Sequence, residues 1–338
     1  MNIGQAVRRT EFRPELDGLR GLAALVVLLF HAKVPGMSAG FMGVEVFFVL
    51  SGYLITGGFA KSIGSGVQKE LASFLRRRLL RLIPAMFAML AVYAVLAQFL
   101  WLNERHDQGR ELLLNAFFMS DYAQYLGGYL YVLTHTWSLG VEMKFYLIWP
   151  LLLCLCRNRR DALVLGVGLF LMATLWRIWR VEDLADYWRI YAPFDSRISA
   201  LLLGAVAALA GRRLQASLGW VCLLLLGASF WVLTYRGFVT AQLGFTWVQI
   251  LAVGVVCAPP VWLAWKPLAW FGRISYGFYL WHFLLIMVVR EFTDDWLWML
   301  GVGAVGGLAC GAASYYLLET RLYNPRPGLR GQVRPAGH

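Results

Sequence analysis

Long apolar runs separated by short, arginine-rich breaks dominate the chain from end to end. Runs near 19–36, 40–60, 79–101, 136–156, 162–179, 197–211, 216–235, 244–264, 272–290 and 297–318 predict ten helices. At about 1.5 Å of rise per residue, roughly 20 apolar residues cross a hydrocarbon layer of about 30 Å, and several of these runs lie near the lower limit for spanning. A further segment, 112–134, is apolar and aromatic but is interrupted by Asp121 and by Gly127 and Gly128, which predicts an interfacial or re-entrant piece. The pattern predicts an all-α integral membrane protein of about ten transmembrane helices.

Composition agrees. The 338 residues are 59% hydrophobic and only 15% charged, more apolar surface than a soluble globule of this size needs. The net charge of +12 would suit a nucleic-acid partner, but the basic residues cluster in the short breaks between apolar runs, so no nucleic acid is expected. With the N-terminus inside, 21 of the 31 basic residues fall in cytoplasmic segments and 8 outside, which predicts both termini in the cytoplasm and an even number of spans. The longest outer connection, about 102–135, is too short and too apolar for an independent domain, leaving one transmembrane domain over 1–320 and a cytoplasmic, disordered Pro/Gly/Arg-rich tail over 321–338. The basic-then-apolar start mimics a signal peptide. His31 and Lys33 interrupt it, however, and no small-x-small cleavage site follows, so it reads as a retained first helix. The five cysteines form no CxxC or Cys/His cluster, so they read as packing residues and no metal site is expected.

Ionisable residues inside apolar runs are functional candidates by default: His31, Lys33, Glu45, His135, Glu142, Lys144 and His282. His31 follows Arg20 by eleven residues in FRPELDGLRGLAALVVLLFHA, which on a helix puts the imidazole about 16 Å deeper than the guanidinium. A neutral imidazole is the usual general base near neutral pH; a histidine hydrogen-bonded between helices for packing alone is the competing reading. Glu142, in HTWSLGVEMKFYLIWP, must be paired, protonated or facing water. It could orient a histidine or simply pair with Lys144 or an arginine. His135 precedes that helix, where an interfacial role competes with a catalytic one. Ser51, Gly52 and Tyr53 sit mid-helix in FFVLSGYLIT, fit either for close helix packing or for lining a polar channel. Arg78 and Arg81, spaced i, i+3 in FLRRRLLRLIPA, share a helix face and form a fork suited to a phosphate ligand, with membrane anchoring as the competing role. His282, in ISYGFYLWH, reads on its own as structural.

Together these stretches carry a resemblance. The R-x10-H pair, then FMGVEVFFVLSGYLIT, RRLLRLIP, TWSLGVEMKFYLIWPLL, FDSRISALLLGA, ISYGFYLWH and SYYLLE in order, over about residues 13–320, resemble the membrane-bound acyltransferase 3 family, which includes O-acetyltransferases of surface polysaccharides and lipopolysaccharide. The resemblance implies a ten-helix acyltransferase core with an acyl-CoA donor, most simply acetyl-CoA, on the cytoplasmic side. It implies an acceptor at the outer face, no bound cofactor, and a multi-pass location in a cell membrane, the bacterial inner membrane. Position by position, it makes Arg20 and His31 the R-x10-H pair, Ser51, Gly52 and Tyr53 the helix-2 motif, Arg78 and Arg81 the R-x-x-R near the CoA phosphates, and Glu142 the first Glu of SLxxEExFY. The sequence departs from the pattern in three places: Glu45 stands where Asp is common, Met143 and Lys144 replace the second Glu and the following Gln, and Glu319-Thr320-Arg321 replaces Glu-Arg-Pro.

The function this implies is acyl transfer, most simply of acetyl, from cytoplasmic acyl-CoA to a hydroxyl of a surface glycan, exopolysaccharide or glycolipid. His31 and Glu142 would be catalytic, with His31 as base or as transient acyl carrier. Arg20, Ser51, Gly52, Tyr53, Arg78 and Arg81 would bind donor or substrate, with Glu45, His135 and His282 as a second rank of candidates. Partners would be the lipid bilayer, the glycan or glycolipid acceptor and glycan-synthesis proteins. Two other classes stay open: a transporter or flippase for a lipid or glycan, and a subunit that passes acyl groups across the membrane to a separate transferase. Outer-loop aromatics, Tyr122, Tyr125, Tyr129, Tyr187, Trp188 and Tyr191, could stack on sugar rings or anchor the interface.

Overall fold

In the computed structural model each of the ten apolar runs contains a helix. Residues 13–102, 107–128, 130–181, 187–212 and 214–322 are described, and every regular element among them is helical. In order these are α1 (Pro14–His31), α2 (Gly43–Phe59), α3 (Val67–Leu96), α4 (Gln108–Ala116), α5 (Trp137–Cys154), α6 (Arg159–Arg180), α7 (Trp188–Tyr191), α8 (Phe194–Ala210), α9 (Ala216–Val232), α10 (Phe245–Cys257), α11 (Lys266–Arg290) and α12 (Trp296–Ser314), the last continued by a π turn, Tyr315–Glu319. Among the described residues, eight helical segments are long and apolar enough to cross a membrane. The 17-residue α9 and α1, which carries Glu15, Asp17 and Arg20 in its first two turns, complete the ten.

The boundaries differ from the apolar runs for local reasons. α1 starts early because Pro14 suits the first helical turn and Glu15 and Asp17 complement the positive end of the helix dipole. It ends at His31, where Lys33 (φ 58°) and Gly36 (φ 80°) turn the chain back. α3 begins at Val67 because 67–78 is amphipathic: Val67 and Phe74 are buried while its polar face hides it from a search for apolar runs. The segment predicted as interfacial or re-entrant is α4 with two short 3-10 turns, Ser120–Tyr122 and Thr134–Thr136. Buried Glu111 stitches this segment to α3, accepting hydrogen bonds from Leu133 N (2.6 Å), Tyr131 N (3.0 Å) and the Tyr93 hydroxyl (2.7 Å). Of the predicted tail, residues 321 and 322 close the final helix and 323–338 lie outside the described residues.

The Gly40–Phe59 span is the central post, 78% buried, against 28% for α6, which faces outward. α2 touches α8 through two glycines: a Cβ on Gly52 would lie 1.8 Å from Leu201 O, and one on Gly204 2.1 Å from Val49 O. α1 and α11 run parallel, since Gly272 abuts Asp17 near both starts while His282 meets His31 further along. Glu45 braces three helices: fully buried, it accepts from Arg197 of α8 and from Gln249 Nε2 of α10 (2.6 Å). The Arg197 guanidinium in turn lies 3.9 Å from the Phe245 ring centre. Such a pair is costly to break inside a low-dielectric bundle, because the surviving charge is left buried alone.

The α2–α8 contact makes a direct prediction. Gly52→Ala forces backbones apart and is expected to destabilise the protein by about 1–3 kcal/mol, the usual cost of overpacking. Gly57→Ala, on the same helix with nothing within 4 Å of the added Cβ, is expected to be neutral or stabilising. Thermal unfolding of the two purified variants in one detergent checks the contrast.

Candidate active site

A cavity enters the bundle among α1, α2, α3, α5 and α11 and is lined by Arg20, Ser51, Arg78, Arg81 and Glu142. The i, i+3 spacing on α3 aims Arg78 and Arg81 into it together. Arg78 is flanked by the rings of Tyr146 (5.4 Å) and Phe74 (5.6 Å), and Arg81 Nε lies 3.5 Å from the buried Glu319 carboxylate. The Glu142 carboxylate is fixed at both oxygens: the Ser51 hydroxyl donates to Oε1 (2.6 Å) and the Tyr146 hydroxyl, one turn along α5, donates to Oε2 (2.9 Å). The lining thus holds three guanidiniums and one carboxylate, an environment for an anion. A second cavity, toward the C-terminal end of α2, shares Arg78 and Arg81 and adds Arg77 and Glu70. Gly52 and Tyr53 line neither: Gly52 packs on α8, and Tyr53 is half-buried against the apolar core.

Three histidines converge one layer deeper. His282 Nδ1 is 3.0 Å from Phe278 O, and its Nε2 is 2.9 Å from His31 Nδ1. A carbonyl can only accept, so neutral His282 donates from Nδ1 and accepts at Nε2. His31 must then donate from Nδ1, which leaves its Nε2 with a lone pair. The chain from carbonyl to His282 to His31 is the arrangement that orients a base. His135 lies beside it, its ring 6.5 Å from that of His31, with Nε2 3.3 Å from Leu280 O and Nδ1 buried without a partner. The Phe283 ring packs on both, at 4.4 Å from His31 and 4.8 Å from His135. Arg290, the last residue of α11, donates to His31 O (2.6 Å) and so satisfies a carbonyl at the end of α1 and fixes where the helix stops.

Arg20 and His31 do not line one cavity. Eleven residues make about three helical turns, so both lie on one face of α1, about 16 Å apart along its axis. Between them stands Tyr279. Its ring lines the arginine cavity and lies 5.7 Å from the His282 ring. Its hydroxyl donates to His135 O (2.5 Å) and is 2.9 Å from Ser138 Oγ. Tyr146, Tyr279 and Arg290 are absent from the sequence-level candidates. The first two carried a signal, being one turn from Glu142 and from His282; Arg290 carried none. Lys144 points away from the cavity: two residues on a helix are about 200° apart, and its ammonium meets Asp121 (2.7 Å) and Phe118 O (2.9 Å). Lys33 lies beyond the end of α1, exposed and paired with Asp294. Glu45 braces helices away from the cavity. Among the described residues no group of His, Cys, Asp or Glu side chains is placed to hold a metal ion.

Comparison with known proteins identifies the family. The sequence profile of the acyltransferase 3 family, described as an acyltransferase domain, matches residues 13–316. The peptidoglycan O-acetyltransferase OatA of Listeria monocytogenes is 28% identical over 92% of this chain and 56% of its own length. A putative peptidoglycan O-acetyltransferase of Bacillus subtilis is 29% identical over 90% of this chain and 54% of its own. A putative O-acetyltransferase of Staphylococcus aureus is 27% identical over 85% and 53%. The chain thus spans a little over half the length of these relatives. No solved structure matches it. With the profile covering nearly all the described helices, the chain belongs to the acyltransferase 3 family.

Proposed function

We propose that the protein is a membrane O-acyltransferase that moves an acetyl group from acetyl-CoA to a glycan hydroxyl. One observation carries this: an arginine-lined cavity is bordered by Tyr279, whose ring is 5.7 Å from that of His282, and His282 in turn holds His31 with its Nε2 lone pair free. The names of the Listeria and Bacillus relatives favour a peptidoglycan-type glycan over lipopolysaccharide or exopolysaccharide. The excess of basic residues favours the arginine end as the cytoplasmic one.

In this account Arg78 and Arg81 grip the CoA phosphates, with Arg20 adding positive charge deeper in the cavity. The pantetheine arm follows the three turns of α1 past Glu142 and Tyr279 toward His31. The acceptor oxygen attacks the thioester carbonyl carbon while His31 Nε2 takes the hydroxyl proton. The tetrahedral intermediate then collapses, the carbon–sulfur bond breaks, and His31 returns the proton to the departing thiolate. His282 holds the tautomer that makes this cycle available, and Arg290 holds the helix end that carries the base. A thioester is already activated, so positioning and base catalysis supply most of the acceleration.

In an assay of radiolabelled acetyl-CoA with purified chain and glycan acceptor, His31→Gln is expected to lower kcat by about 10²–10⁴-fold, the usual weight of a general base. His282→Gln is expected to lower kcat less and to leave the KM for acetyl-CoA in place. Full activity of a well-folded His31→Gln variant would refute the mechanism. Arg78→Ala and Arg81→Ala are each expected to raise the KM for acetyl-CoA by about tenfold or more, as the loss of a charge-assisted hydrogen bond requires. Transfer from S-acetyl-N-acetylcysteamine, which has no phosphates, should change far less. Equal effects on both donors would remove the arginines from phosphate binding.

A further inference from the structure

At the end of the bundle away from the arginines, the turn Ser120–Tyr122, the turn Thr134–Thr136 and α7 enclose a second kind of pocket, lined by Asp121, Gln124, Thr134, Trp137 and Trp188. Resting on the glycan acceptor proposed above, we infer that this pocket is a subsite for one pyranose ring of that acceptor.

Its chemistry selects a neutral polyol. Asp121 is 2% exposed; Oδ1 is taken by Lys144, while Oδ2 has no hydrogen-bond partner. Gln124 Oε1 is likewise buried and unpartnered. Two orphan acceptors on residues that line one pocket call for donors, since buried oxygens are otherwise almost always satisfied. An anion would meet the Asp121 carboxylate, and a cation is not needed, because Lys144 already balances that charge. Sugar hydroxyls are uncharged donors, and the C–H face of a pyranose matches the apolar face of an indole, which half-buried Trp188 supplies.

The other aromatics nearby are spoken for. Tyr122 donates to Asp195 Oδ1 (3.0 Å), and Tyr125 donates to Arg189 O (3.1 Å) and accepts from Arg180. Tyr187 and Tyr191 are buried in the core, and so is Trp137, whose ring has the Arg197 guanidinium at 5.4 Å and the Tyr191 ring at 4.8 Å. Asp195 also accepts from Trp176 Nε1 (2.6 Å) and Arg180 (3.3 Å), so this belt is a brace around the pocket. That leaves Trp188 as the pocket-lining indole with exposed surface. The pocket also touches the chemistry. Thr134 lines it, and the next residue of the same turn, His135, stands 6.5 Å ring to ring from His31. A ring held here lies against the turn that carries one of the three clustered histidines.

The test is equilibrium binding of N,N′,N″-triacetylchitotriose and of maltotriose to the full chain in detergent, read by saturation-transfer NMR without acyl-CoA. Wild-type chain is expected to bind at least one of them. Gln124→Leu, which keeps the volume and removes the acceptor, and Trp188→Ala are each expected to weaken binding by about fivefold or more, in line with one lost hydrogen bond or stacking contact. Thermal unfolding of each variant establishes that it is folded. Wild-type affinity in both folded variants overturns the inference. So does the absence of binding of either sugar to wild-type chain at millimolar concentration, the result expected if the acceptor is a protein side chain. The readout needs neither donor nor turnover, so the subsite and the transfer chemistry fail separately.

Discussion

The hydrogen bond between His31 and His282 depends on two parallel helices approaching closely enough for Gly272 of α11 to touch the backbone of Asp17 on α1. Any side chain at Gly272 would push the helices apart, since a Cβ there would sit 1.7 Å from a carbonyl oxygen. At the far end Arg290 anchors the His31 carbonyl, so α1 is clamped at both ends against α11. Between the clamps α1 carries Arg20 and His31 on one face. Arg20 and His31, the charge and the base of the proposed mechanism, are thereby set about three turns apart on a single rigid element, and rigid elements hold a reacting geometry better than loops.

The interior follows from the cost of polar groups in an apolar surround. Glu45, Glu111 and Asp121 are each almost fully buried, and each meets cationic or donor partners, Glu45 across three helices and Glu111 along a loop. The exceptions are informative. Among the described residues, buried atoms without a hydrogen-bond partner include His135 Nδ1, Gln124 Oε1 and Asp121 Oδ2, and also Arg197 Nε and Gln249 Oε1 within the Glu45 brace itself. Asp121 and Gln124 differ from the brace residues in that they line a pocket.

The helices were legible because the hydrocarbon thickness imposes run lengths that a sequence displays directly. The first turns of α3 were not, since an amphipathic helix has no apolar run to display. Within the site, local spacing was readable: Arg78 with Arg81, and Arg20 with His31, keep their relation on any helix. Relations between helices were not. Nothing in ISYGFYLWH says that His282 supports His31 instead of packing alone, and nothing in the acidic loop says that Asp121 neutralises Lys144. That last pairing gives a physical account of one departure from the family pattern. Lys144 replaces a polar residue on the side of α5 facing Asp121, so the change leaves Glu142 and its cavity intact. Ser51 and Gly52 show why motifs resist single readings: neighbours on one helix point in different directions, one to Glu142 and the other into α8.

The central claim is that one donor molecule reaches from the arginines to His31. A cryo-electron microscopy structure of the chain with a non-hydrolysable acetyl-CoA analogue in a lipid nanodisc tests it most directly. Phosphates are expected between Arg78 and Arg81, the pantetheine arm along α1, and the acetyl carbonyl beyond a displaced Tyr279, beside His31 Nε2. An analogue whose acetyl end stays on the arginine side of an undisturbed Tyr279, or whose phosphates lie away from both arginines, would contradict it.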